Sequence, residues 1–251
     1  MNKILDLLLT DKNISTVVKN FSRREDFSIS GLSGTAKIAV IAAAFRKNPQ
    51  PIIIIAEREK IPAWQSDLQE FLPNVEVLEF PEVDLFNVRA GVVGLERKAI
   101  RMDILTRLLN LENIIVLASP VAVVKKDFSR KNFFDVQIKI ALNQNLSLNK
   151  FLNDLVNFGY ERADEIDAIG KFSVRGGIVD VFPVNSPAPF RVEFYDEFVD
   201  SIRELSTETL RSTKNLITAT ILPVNENETL DAEPVLTCAG KIIFDEPARL
   251  K

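Results

Sequence analysis

Apolar residues along this chain fall into two kinds of run. Ile52–Ile55 and Ile114–Ala118 are continuous and rich in β-branched residues, the mark of strands covered on both faces. Val75–Phe80 is also strand-like. Between these runs the period lengthens. Ala36–Phe45 follows a glycine-containing turn and precedes Pro49 and Pro51, which predicts a helix. Ile61–Phe71 carries Trp64, Leu68 and Phe71 at helical spacing. Leu95–Leu109 sets Ala99, Ile100, Ile104, Leu105 and Leu108 among Arg and Glu, an amphipathic helix. Alternating strands and helices predict a parallel sheet with helices on both faces, a doubly wound α/β domain over residues 1–124.

After about Lys125 the pattern changes. Val136–Leu142 reads as a strand, and Ser147 stands where it caps a helix that buries Leu148, Phe151, Leu152 and Leu155, with Gly159 past its end. Phe172–Phe182, Phe190–Tyr195 and Val199–Leu205 are strand-like, so residues 125–220 read as an inserted α+β domain. From Asn225 the chain is polar and acidic until Ile242–Phe244. Residues 221–251 then complete the first domain, with Leu216–Leu222 and Ile242–Phe244 available as the return.

Strand alternation sorts the side chains of the inserted domain. Phe190, Val192 and Phe194 share a core face with Phe172 and Val174, while Ser173, Arg175, Arg191, Glu193 and Tyr195 point the other way. Gly176-Gly177 suggests a bulge or a close backbone approach, and the turn-rich Pro183–Pro189 returns the chain as a hairpin. Arg175, Arg191 and Tyr195 therefore come to one solvent-facing sheet surface. Arg and Tyr are enriched at binding hot spots, yet most exposed strand charges are ordinary surface.

Composition narrows the chemistry. Among 251 residues there is no histidine, which removes Ser–His and Cys–His nucleophile pairs and His-ligated metals. Cys238 is the sole cysteine, so neither a disulfide framework nor a Cys-rich zinc site is available. A net charge of −4 argues against a surface devoted to coating nucleic acid. The basic Lys125–Lys131 run reads as a solvated linker, with nonspecific DNA binding as its rival reading. Neither Ile38–Phe45 nor Ile52–Ala56 approaches the roughly 20 apolar residues of a membrane span, and no signal-peptide pattern follows Met1. The expectation is a cytoplasmic protein without a membrane partner.

Gly31-Leu-Ser-Gly-Thr-Ala-Lys37-Ile38 sits where a phosphate-binding loop would, between an extended segment and a helix. A working loop of this kind reads G-x-x-x-x-G-K-[ST]. Gly31 and Lys37 are kept, Gly34 adds freedom to the turn, but Ala36 replaces the second glycine and Ile38 replaces the hydroxyl that would ligate Mg²⁺. The favoured reading is a glycine-rich helix start without ATP hydrolysis. Asp245-Glu246, after the apolar Ile242–Phe244, resembles the acidic end of a Walker B strand.

Lys171–Pro183, with Pro189–Arg203 and Ser206–Ser212, is similar to the UvrB-interaction domain shared by UvrB and the transcription-repair coupling factor, Mfd. The likeness extends upstream through Ala118–Val123 to the Gly31 loop. UvrB proteins carry an intact phosphate loop and a tyrosine-rich hairpin. Here the loop is degenerate and the matching Pro81–Gly91 has no tyrosine, so the chain resembles the N-terminal UvrB-like module of the coupling factor. That resemblance implies a docking module for UvrA in transcription-coupled nucleotide excision repair, without a motor. It places UvrA contacts at Arg175, Arg191 and Tyr195, where Tyr195 stands for the usual Phe. It further implies a monomer that needs no cofactor; ATP and Mg²⁺, and contacts with RNA polymerase and DNA, would belong to domains outside this chain. The alternative is a UvrB-type ATP-dependent, damage-binding, helicase-like protein. One departure is the short stretch between Leu222–Asn225 and Asp245–Pro247, where the family has a sizeable one. Either this lineage has a trimmed domain or the chain is an edited one.

Overall fold

Four consecutive isoleucines, Ile52–Ile55 (β1), lie inside a parallel sheet and are all buried. The computed structural model describes residues 2–21, 23, 26–82, 91–124, 126–127, 137–224, 233–238 and 240–248. They form two compact units, one of residues 1–80, 106–125 and 236–251, the other of 81–105 and 126–235. The basic run Lys125–Lys131 and the tyrosine-free Pro81–Gly91 lie mostly outside the described residues.

The first unit begins with α1 (Asn2–Thr10), α2 (Lys12–Phe21) and α3 (Thr35–Lys47). The first two were not expected from the pattern. Asp11 starts α2 by accepting the amides of Asn13 at 2.8 Å and Ile14 at 3.0 Å, an N-cap written in the sequence. After β1 come α4 (Ile61–Phe71), β2 (Val77–Phe80), β3 (Ile115–Ala118) and α6 (Pro120–Val124), while α5 (Gly91–Leu109), between β2 and β3 in the chain, has residues 91–105 in the second unit and 106–109 in the first. The sheet runs in the order Lys241–Phe244, β1, β3, β2, all parallel, with Ile52 opposite both Ile115 and Lys241. Ile52, Ile54, Ile115, Leu117 and Val77 join one apolar cluster with Ile38, Ile41 and Phe45 of α3 and Ile61, Trp64 and Leu68 of α4. Ile53, Ile55, Val116 and Ala118, of opposite parity, are buried as well. A strand buried on both faces has no use for alternation, which is why these runs are continuous.

Helix α5 departs from its expected face. Ala99, Ile104, Leu105 and Leu108 are buried, but Ile100 is exposed and Arg101 is fully buried. Arg101 donates to the carbonyl of Pro81 at 2.9 Å, which compensates part of the cost of burying a guanidinium.

The second unit continues with β4 (Lys126–Asp127), β5 (Ile138–Ala141), α7 (Leu148–Asn157), β6 (Glu161–Arg162), β7 (Lys171–Arg175), β8 (Ile178–Val181), β9 (Phe190–Tyr195), β10 (Phe198–Leu205), β11 (Ser212–Leu216), β12 (Thr218–Ile221) and β13 (Glu233–Pro234). The chain then reaches β14 (Lys241–Phe244). Ser147 caps α7, its hydroxyl accepting the Lys150 amide at 3.4 Å, and Gly159 follows the helix at φ +83°. A six-stranded sheet runs β11-β10-β9-β8-β7-β6, antiparallel except where β6 meets β7. Phe151 of α7 packs against Phe194 of β9 with ring centroids 5.5 Å apart, so the helix covers the apolar side of the sheet.

Two expectations are corrected. Phe172–Phe182 is not one strand: it folds back at Gly176-Gly177 into the β7–β8 hairpin, with Arg175 opposite Ile178. Of the two return candidates, only Lys241–Phe244 enters the parallel sheet, because β12 pairs antiparallel with β5 instead. That pairing is tied in by Tyr160, whose buried hydroxyl donates to the Leu222 carbonyl at 2.8 Å and accepts the Val184 amide at 3.2 Å. Burial pushes the Tyr160 phenol well above its ordinary pKa of 10.0.

Candidate functional site

The β7–β8 turn and the β8–β9 register decide which side chains share the outer face of the sheet. Ser173 lies opposite Asp180, Asp180 opposite Arg191, Ile178 opposite Glu193, and Tyr195 opposite Phe198. Directly opposed residues point to the same side, so Arg175, Arg191 and Tyr195 occupy one face. Phe172, Val179, Val181, Phe190, Val192 and Val199 fill the other, and all are buried.

The arginines on the outer face differ in freedom. Arg191 is half-buried and grips Asp180 with both Nε and Nη2 at 2.7 Å. Asp180 itself is buried, and the paired carboxylate raises the Arg191 guanidinium above its usual pKa. Alternation placed Arg191 on this face but carries no information about the cross-strand carboxylate that holds it. Arg203 pairs with Glu193, which also accepts the Ser201 hydroxyl at 2.9 Å. Arg175 is exposed and reaches the Asp164 carbonyl at 3.4 Å. Tyr195 is 78% exposed at the end of its strand. Charge pairs thus cover the middle of the face, with an open arginine and aromatic surface beyond them. Strand alternation had already placed Glu193 on this face. Asp180, Arg203 and Phe198 were not singled out from the sequence, since they needed the register.

The Gly31 loop lies in the first unit. Gly31 and Gly34 hold φ of +84° and +53°, conformations costly for other residues. The amides of Ala36 and Lys37 donate back to Ser33 and Gly34 at 3.2 Å, so the first helical turn is closed on itself. Lys37 ends between carboxylates, 2.7 Å from Asp245 and 2.6 Å from Glu246. Lys60 adds 3.5 Å contacts to both and a 3.2 Å contact to Glu57. Hydrogen bonds to Asp245 and then Glu246 raise the Lys37 pKa above 10.5, against a smaller desolvation effect. Ile38 is buried and offers no oxygen. A phosphate arriving at this loop would meet an ammonium already neutralised by two carboxylates. Among the described residues no group of three or more Cys, Asp or Glu side chains is placed to hold a metal ion, and no helix is long and apolar enough to cross a membrane.

Residues 138–226, which include every strand of the outer face, match the model of the UvrB interaction domain. The chain is 33% identical over 203 residues to the transcription-repair-coupling factor of Bacillus subtilis (strain 168), covering 79% of this chain and 17% of that protein. It is 29% identical over 215 residues to the one from Staphylococcus haemolyticus (strain JCSC1435), covering 85% of this chain and 18% of that protein. The chain thus spans under a fifth of the length of these curated relatives. It is homologous to the N-terminal region of the transcription-repair-coupling factors and contains a UvrB interaction domain.

Proposed function

We propose that this chain is the docking module of a transcription-repair coupling factor, which recruits UvrA in transcription-coupled nucleotide excision repair and has no ATPase motor of its own. The observation that carries this reading is the shared outer face of Arg175, Arg191 and Tyr195 within the matched domain. Arginine and tyrosine are the residue types that dominate protein interfaces, and a sheet backed by a helix presents them with little conformational freedom to lose. Residues 125–220 are the docking domain, inserted between 1–124 and 221–251 of a doubly wound, degenerate phosphate-loop domain. Paired Lys37 and buried Ile38 support a module without nucleotide or metal cofactor. The module acts in the cytoplasm as a monomer, and contacts with RNA polymerase and DNA fall to other parts of the whole factor.

Calorimetric titration of UvrA against the parent and its Arg175→Ala/Arg191→Ala variant, without nucleotide, tests this. The parent binds, and the still-folded variant loses about a hundredfold or more in affinity. Equal affinities would sink the docking-face assignment.

A further inference from the structure

Tyr195 and Phe198 stand opposite each other at the last pair of the β9–β10 hairpin, and both are exposed, at 78% and 48%. The turn between them is Asp196-Glu197, with Asp196 at φ +56°. Its backbone is held on the outside too: the Leu146 amide donates to the Glu197 carbonyl at 2.9 Å and the Val199 amide to the Gln144 carbonyl at 3.0 Å. The tip is therefore fixed in place, and neither ring can be tucked away by moving the loop. Folding gives no reason for phenylalanine here. The apolar side of this end of the hairpin is supplied by Phe194 and the fully buried Val199, which oppose each other on the other face. A polar side chain at 198 would serve the turn equally well and would not expose an apolar ring to water.

We propose that Phe198 is a second aromatic anchor for UvrA, which forms with Tyr195 one apolar knob that enters a single apolar depression on the partner. This rests on the reading of the Arg175, Arg191 and Tyr195 face as the UvrA dock. The register carries the placement: Tyr195 continues the row of Arg191 and Glu193, and its partner Phe198 continues the row of Ser201 and Arg203 past an irregularity at Val199–Ser201. Rigid aromatic pairs provide large contact area at small entropic cost, which suits them to the centre of an interface. The exposed Arg175 on the same face favours carboxylates at the rim of that depression.

The test is a titration of UvrA against the full chain in parent, Phe198→Ala, Phe198→Trp and Arg175→Ala/Arg191→Ala forms, with thermal midpoints recorded for each. Phe198→Ala is expected to weaken binding about tenfold or more at a midpoint close to the parent's. Phe198→Trp is expected to bind like the parent, with emission that shifts to the blue as UvrA saturates it; Trp64, the natural tryptophan, is already buried in α4. Parent-like affinity of Phe198→Ala, in a series where the arginine variant loses binding, overturns the second anchor and leaves the docking face standing. An unshifted emission from bound Phe198→Trp does the same, and decides the matter if Phe198→Ala does not fold. A folded parent that fails to bind overturns both readings.

Discussion

Lys37 has been kept where a phosphate-binding lysine would stand, yet its contacts are those of a structural cation. Its side chain is 20% exposed and shared between Asp245, 3% exposed, and Glu246. Glu246 holds φ +48°, an uncommon conformation for a residue other than glycine. The Lys37 ammonium lies between the two carboxylates. Removing it in Lys37→Met leaves the buried Asp245 carboxylate, among the described residues, with the longer Lys60 contact, and is expected to cost about 1–3 kcal/mol at neutral pH. The pH dependence has a definite sign. Lys37 titrates above 10.5 in the folded unit, so its contribution is complete below that pH and fades as pH rises through the folded value. Chemical denaturation from pH 7 to 11.5 should therefore show the parent and Lys37→Met converging only at the alkaline end. A gap that is the same at every pH would mean that Lys37 acts through its methylene stem alone.

At the scale of elements, the β7–β8 hairpin sets the register of the outer face of the six-stranded sheet. Gly176 takes φ +61° in the turn, and a Cβ at Gly177 would lie 2.8 Å from the Phe194 carbonyl oxygen. That oxygen belongs to backbone within the sheet, so it cannot swing aside. Gly177→Ala should then cost about 1–3 kcal/mol, read as a lower denaturation midpoint. Gly177 and Phe194 also pair through the Phe194 amide, which donates to the Gly177 carbonyl at 2.8 Å. This close approach was legible in the glycine pair, but the turn was not, because a bulge and a two-residue hairpin share the same residues. Other features were open to reading for local reasons. Ser147 and Gly159 bracket α7 by their own cap chemistry, and Ile52–Ile55 declares burial on both faces. What escaped depends on distant partners. Nothing near Arg191 in the chain announces Asp180, and the Pro81 carbonyl that accepts from the buried Arg101 lies 20 residues away, while Ile100 faces solvent. Among the described residues, helices α1 and α2 have few buried anchors, Leu5, Val18 and Phe21, and so were missed.

At the scale of the whole molecule, each compact unit has its own apolar interior. The cluster built on β1 and β3 draws its members from the first unit alone, and Leu117 is among its fully buried residues. Leu117→Ala is expected to cost about 2–5 kcal/mol. Hydrogen exchange should record the loss in the amides of β1 and β3, while Val192 and Ile202 in the second unit keep their protection. Loss of protection in both units together would mean that they unfold as one.

Strand β14 carries a consequence for how the chain is made. β1 leaves the ribosome early, but one of its two neighbours, Lys241–Phe244, is nearly the last described segment to appear. The six-stranded sheet, by contrast, is assembled entirely from residues 161–216. During synthesis the inserted sheet can close on itself while β1 still presents an open edge, its isoleucine run only half enclosed. For that interval a chaperone or a neighbouring nascent chain would find its target in the older part of the polypeptide, and the six-stranded sheet would already be finished.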